Sequence, residues 1–228
     1  MYQQVILILI GWFTGIISTV GYEQYKRYLD RKNLKTAILS ELKVLLPRLV
    51  LTYYTLIIKT RKYDKEKLQW VYDNLLLYED KTISLQIASI KDKLKELLKR
   101  NDISINSDTD FKVAQSEVEH IKSITLSFSK ENITYFSLLS DEFRLIIFDV
   151  RTKVNVLNDL ADRIDFFFKQ SFSPGMSNKN IEIIEDNIES NYNVYLMFSK
   201  VVIERIKEIF ELEKNKNSTN IEKINQDL

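Results

Sequence analysis

Cysteine is absent from the 228 residues, and histidine occurs once, as His120. The first absence excludes disulfides, thiolate metal sites and cysteine nucleophiles. The second leaves any multi-histidine zinc site or Ser-His-Asp triad dependent on a single side chain. Glycine is limited to Gly11, Gly15, Gly21 and Gly175, and proline to Pro47 and Pro174. Sheet proteins with many tight turns need more of both, so the chain is expected to be all-α. No phosphate-binding loop is available, because that motif needs closely spaced glycines and Gly175 stands alone in the C-terminal three quarters of the chain.

Charge is also missing where it matters. Residues 1–22 carry no charged side chain, and the run VILILIGWFTGIISTV over residues 5–20 is apolar throughout. Twenty-one helical residues span about 31 Å at 1.5 Å per residue, against a hydrocarbon core of about 30 Å. This predicts one uncleaved N-terminal transmembrane helix. A cleaved signal peptide would want a basic start, a shorter apolar core and a small-x-small cleavage site, whereas here the start is Met-Tyr-Gln-Gln and the apolar run is too long. Lys26, Arg27, Arg31, Lys32 and Lys35 follow the run at once and form a basic cluster for the membrane surface. By the positive-inside rule they keep the remainder of the chain cytoplasmic, at the inner membrane. Gly11, Gly15 and Thr19 place a small residue at every fourth position, a spacing that lets two helix backbones approach closely and predicts self-association.

The remaining charge is uneven. Residues 23–100 hold 18 Lys+Arg against 10 Asp+Glu, and residues 101–228 hold 15 against 22. A basic half can meet anionic lipid headgroups, or the acidic half of the same or a neighbouring copy.

Periodicity then divides the chain into a transmembrane anchor (1–22), a juxtamembrane helix (23–46), a cytoplasmic helical domain (47–214) and a disordered tail (215–228). Pro47 is read as a boundary or kink. The apolar stretch 44–58 contains Arg48 and is too short for a second span, so it is expected to be a core helix. Further helices are predicted near 64–79 and 82–100, a polar loop over 101–109, and a helix over 110–128, with a short strand hairpin at 124–136 as the alternative. Ser140 is a good N-cap for a helix with Asp141 and Glu142 in its first turn. Along that helix Phe143, Ile147, Val150, Val154, Leu157, Ala161, Ile164 and Phe168 recur at spacings of four and three, an unbroken heptad seam. The loop around Pro174-Gly175 and a last long helix complete an antiparallel hairpin, whose seam serves as core within one chain or as an interface between chains.

Chemistry is sparse. Glu117, Glu119 and His120 supply half of a di-iron pattern that needs a second histidine. Asp159, Asp162 and Asp165, and likewise Glu182, Glu185 and Glu189, could line helix faces and hold a hard cation, although a solvated face is the plainer reading. Asn132-Ile-Thr134 and Asn217-Ser-Thr219 match the glycosylation pattern, which a cytoplasmic location makes irrelevant. No catalytic residue, metal or cofactor is expected, and no nucleic-acid partner.

In layout, the chain resembles small bacterial membrane-anchored proteins with helical cytoplasmic domains, including accessory and effector proteins of antiphage and CRISPR systems. That resemblance implies a non-enzymatic, self-associating membrane protein that perturbs or permeabilises the bilayer after a cytoplasmic trigger. The alternative is a static tether that recruits a cytoplasmic protein partner through the helical hairpin. The expected partners are membrane lipid, further copies of the chain and that unidentified protein.

Overall fold

In the computed structural model the backbone is described for residues 2–77, 85–99, 124–126 and 136–226, with side chains for 11–77, 87–99, 124–126 and 136–215. Among these residues there are five α-helices and no strand: α1 (Tyr2–Lys59), α2 (Lys65–Leu76), α3 (Leu85–Lys99), α4 (Asp141–Ser171) and α5 (Asn178–Gln226). The helix expected over 110–128 lies outside the described residues apart from Ile124, Thr125 and Leu126, which are neither helix nor strand. His120, Glu117, Glu119 and the Asn132-Ile-Thr134 sequon also lie outside them.

The α4–α5 hairpin is the scaffold. Phe143, Ile147, Val150, Val154, Leu157, Ala161 and Ile164 of α4 are buried, as are Ile184, Tyr192, Tyr195, Val202, Ile206 and Ile209 of α5. Apolar residues spaced by three and four fall on one stripe of each helix, so both stripes close against each other. The N-terminal end of α4 is set by Ser140 in extended conformation, with Asp141 and Glu142 in the first turn, although the Ser140 hydroxyl makes no capping bond. Gly175 between the helices has φ of +81°, a left-handed turn that glycine takes at no steric cost.

The second half of α1 lies antiparallel on α5. Lys35 pairs with Glu213, the Lys59 ammonium donates to the Tyr192 hydroxyl at 3.0 Å, and Lys62, just past the helix end, donates to Glu189 at 2.7 Å. Between these contacts Ile38, Leu42, Leu45, Leu46, Leu49, Val50, Tyr53, Leu56 and Ile57 enter the common core. The 44–58 stretch is therefore interior packing. Pro47 does not break the helix: it is buried inside an uninterrupted α1, flanked by core leucines whose packing offsets the lost backbone bond. The boundary expected there is absent for that reason. At the other end, α5 continues to Gln226, through the segment expected to be a disordered tail.

The membrane reading is corrected. Among the described residues no helix is long and apolar enough to cross a membrane. The anchor is part of the 58-residue α1 and does not end at residue 22. The uncharged run is followed within the same helix by Glu23, Lys26 and Arg27. The N-terminal transmembrane helix, the single-pass inner-membrane location and the cytoplasmic assignment that depended on it are withdrawn. The resemblance by layout rested on the same anchor and carries no functional argument without it.

α2 is capped by Asp64, whose carboxylate accepts from the Lys67 amide at 2.8 Å and the Lys67 ammonium at 2.7 Å. The Lys67 contacts hold the Asp64 pKa below its ordinary value. A carboxylate with a depressed folded-state pKa stabilises the fold above its unfolded pKa, and that contribution is lost as pH falls through the folded value. In urea unfolding at neutral pH, Asp64→Ala is expected to cost about 1 kcal/mol, and Asp64→Asn to remove its share of the acid sensitivity. Leu49→Ala or Ile147→Ala, each fully buried, is expected to cost about 2–5 kcal/mol.

Candidate functional site

Two stretches of the described chain gather exposed large apolar side chains. The first is the N-terminal arm of α1. Residues 11–29 are exposed without exception, including Trp12, Phe13, Ile16, Ile17, Val20, Tyr22, Tyr25 and Tyr28. A Cβ placed on Gly11, Gly15 or Gly21 would meet nothing within 4 Å. The small-residue stripe of Gly11, Gly15 and Thr19 is therefore not explained by packing inside the described fold. The hydroxyls of Thr14, Ser18 and Thr19 donate back to carbonyls of Gly11 and Gly15 at 2.8–3.0 Å, which satisfies them within the helix and leaves the stripe without an outward polar demand.

The basic cluster next to it is divided by the fold. Lys26, Arg27, Arg31 and Lys32 are exposed, whereas Lys35 turns inward to Glu213 and sits 5.8 Å from the centre of the Phe143 ring. Of the hairpin seam, Phe143, Ile147, Val150, Val154, Leu157 and Ile164 are consumed by the internal core, and Phe168 is 36% exposed.

The second open surface is the loop end of the hairpin. Phe166, Phe168, Phe172 and Ile183 are exposed there, Phe172 to 73%. Phe168 and Phe172 meet edge to face with ring centres 5.1 Å apart. Sequence reasoning assigned Phe168 to the seam and passed over Phe172, although the crowding of phenylalanines beside a Ser-Pro-Gly loop was the available signal. Whether such a cluster is covered depends on where α1 stops, which is a long-range fact.

α1 stops beside α5 in a shallow crevice of about 310 Å³ lined by Lys59, Thr60, Arg61, Glu185, Ile188, Glu189 and Tyr192. The turn is closed by the Arg61 amide donating to the Ile58 carbonyl at 3.1 Å and the Lys62 amide to the Ile57 carbonyl at 2.9 Å. This pattern puts Arg61 in the left-handed position that glycine usually takes, with φ of +54°.

Acid–base chemistry finds little support among the described side chains. Burial raises the Tyr53 and Tyr195 phenols, Lys67 lowers Asp64, and Glu208 raises Arg205. All four move away from neutrality, opposite to the tuning a general acid or base needs. No three carboxylate, histidine or cysteine groups among the described residues converge on a metal position. Of the carboxylates singled out in the sequence, Asp165 pairs with Lys169 and Glu189 with Lys62, while Asp159, Asp162, Glu182 and Glu185 are exposed. Comparison with protein-family models, with curated proteins and with solved structures found no match.

Two local devices position these surfaces. Asn158 of α4 accepts from the Ile124 amide at 2.7 Å and donates to the Ile124 carbonyl at 2.9 Å, clamping the irregular 124–126 segment against the core. Asn158→Ala leaves both backbone groups without that partner and is expected to lower stability by about 1–3 kcal/mol, with faster amide exchange at Ile124. Arg61→Gly relieves the left-handed strain and is expected to raise stability by about 0.5–1 kcal/mol, read as a higher urea midpoint.

Proposed function

We propose that this chain is a non-enzymatic, self-associating interaction protein, in which the arm of α1 pairs with the arm of another copy and the helical body presents a partner-binding surface. The observation that carries the reading is the exposed arm. Five large apolar side chains, Trp12, Phe13, Ile16, Ile17 and Val20, lie together with nothing of the described fold against them. Monomeric proteins rarely expose contiguous apolar surface on that scale, and covering it is the usual resolution.

The energetic case is favourable. Fully burying one such side chain is worth about 1.5–3 kcal/mol, and association of two molecules costs about 4–15 kcal/mol in lost freedom and ordering. At 100° per residue Trp12, Ile16 and Val20 flank the stripe of Gly11, Gly15 and Thr19, so two arms bring twice three such groups to the contact, and burying most of each offsets that cost. Gly11 and Gly15 supply the close approach, since a seam without Cβ atoms brings backbone within contact distance of backbone. The arm is also preformed as a continuation of a helix anchored in the core, so little ordering cost falls on the association itself.

Sedimentation velocity of the full chain tests this. The wild type is expected to be a dimer or larger species. Gly11→Ile combined with Gly15→Ile, which disturbs no packing contact in the monomer, is expected to weaken association at least about tenfold, and Ile16→Glu to act in the same direction. A wild-type protein that is monomeric throughout, or that binds lipid vesicles instead of itself, would overturn the reading.

A further inference from the structure

The α4–α5 hairpin has a crevice on a side that α1 does not occupy. α1 reaches α5 at Glu189, Tyr192 and Glu213. Around α5, Asn191 and Asn187 lie about 100° and 140° away from Tyr192, at 100° per residue. These two residues line a crevice of about 540 Å³, whose other walls are Asp162, Arg163, Phe166 and Phe167 of α4. Sites for small molecules are usually about 300–1,000 Å³ in volume.

The fold leaves three chemical features of this crevice unused. The first is a pair of amides. Asn187 and Asn191 are half-buried, and each Nδ2 donates to the carbonyl four residues back, Ile183 at 2.8 Å and Asn187 at 2.7 Å. Those carbonyls belong to α5 itself, so neither amide ties α5 to α4, and among the described residues neither Oδ1 receives a donor. The second is a pair of opposite charges, Asp162 and Arg163, both exposed. The residues three and four positions from Asp162 along α4 are Asn158, Asp159, Asp165 and Phe166, none of them basic. Among the described residues neither Asp162 nor Arg163 takes an ion pair. The third is an aromatic wall: Phe166 is 55% exposed and meets Phe167 edge to face, with ring centres 5.5 Å apart.

Each feature selects a complementary group. A carboxylate and amide carbonyls accept from an ammonium, a guanidinium grips a carboxylate through parallel bonds, and a ring offers its face to an apolar group. One molecule satisfies all of them when it carries an ammonium and a carboxylate beside an apolar side chain. We propose that this crevice binds a small amphoteric ligand of the amino-acid class. Its ammonium sits on Asp162 and the Asn187 and Asn191 carbonyls, its carboxylate on Arg163, and its side chain against Phe166 and Phe167. A free amino acid and a short peptide share this chemistry. A purely anionic ligand is disfavoured, because residues 159–189 hold seven acidic side chains against three basic. A purely cationic one leaves Arg163 facing a like charge. The site belongs to the hairpin and not to the arm, so it stands or falls apart from self-association.

Isothermal titration calorimetry of the full chain tests the proposal with L-phenylalanine, the dipeptide leucyl-phenylalanine, and two half-ligands, phenethylamine and hydrocinnamate. The amino acid or the dipeptide is expected to bind at least about tenfold tighter than either half-ligand, with hydrocinnamate the weakest. Whichever of the two binds tighter identifies the source of the ligand. Arg163→Ala is expected to erase the preference over phenethylamine, and Asp162→Ala the preference over hydrocinnamate. Both positions are exposed, and circular dichroism checks that each variant stays helical. Loss of one preference at a time is a readout that general loosening of the hairpin would not give. If the wild type binds neither amino acid nor dipeptide up to about 10 mM, or binds them no tighter than phenethylamine, the proposal is overturned. Wild-type preferences that survive unchanged in both charge variants overturn it as well, since the ligand then sits elsewhere.

Discussion

The closure of α4 on α5 is the contact on which the rest of the structure depends. Each helix is long and carries one apolar stripe, and a stripe of that kind is stable in water only when another covers it. The buried stripe runs from Phe143 to Ile164 on α4 and from Ile184 to Ile209 on α5, and the C-terminal half of α1 packs along α5. α2 then joins α1 and α5 through Trp70, which stacks against Tyr53 with ring centres 4.9 Å apart and donates to Glu204 at 3.1 Å. Without the hairpin, α1 would lose the α5 surface it packs along, while α2 would keep only its contacts with α1 and α3.

Charge follows the same architecture. The excess of basic residues in the first part of the chain and of acidic residues in the last finds part of its outlet inside the molecule, where Lys35 meets Glu213 and Lys62 meets Glu189 and Asn193. Individually such half-exposed pairs contribute little, about 0–1 kcal/mol each. Their value lies in register. Leucines and isoleucines on α1 would tolerate sliding by a turn along α5, whereas three lysines that must each find a partner there select one alignment.

What was legible in the sequence was whatever depends on local period. The four-three spacing from Phe143 onward, the loop at Pro174-Gly175 and the helical character of 64–79 and 82–100 are properties of neighbouring residues, and α2, α3 and the hairpin lie where those periods placed them. Pro47 was misread because its local penalty is real but its burial among Leu45, Leu46, Leu49 and Val50 is a tertiary gain that no local rule contains. Arg61 in a glycine position is invisible to sequence rules for the same reason. The membrane-length reading rested on the uncharged run alone, and among the described residues no helix is long and apolar enough to cross a membrane. Of the candidate surfaces, Gly11, Gly15 and Thr19 were visible as a spacing, whereas the crevice at the end of α1 was not, because it forms only where Lys59 meets Tyr192, more than a hundred residues away.

The exposed arm comes from the same alignment. α1 lies along α5 over the stretch in which Lys35 faces Glu213 and Lys59 faces Tyr192, about 36 Å of helix at 1.5 Å per residue. Residues 11–29 lie N-terminal to that stretch and are exposed. The lysine pairs that select the alignment therefore also set how much of α1 stands beyond the packed stretch.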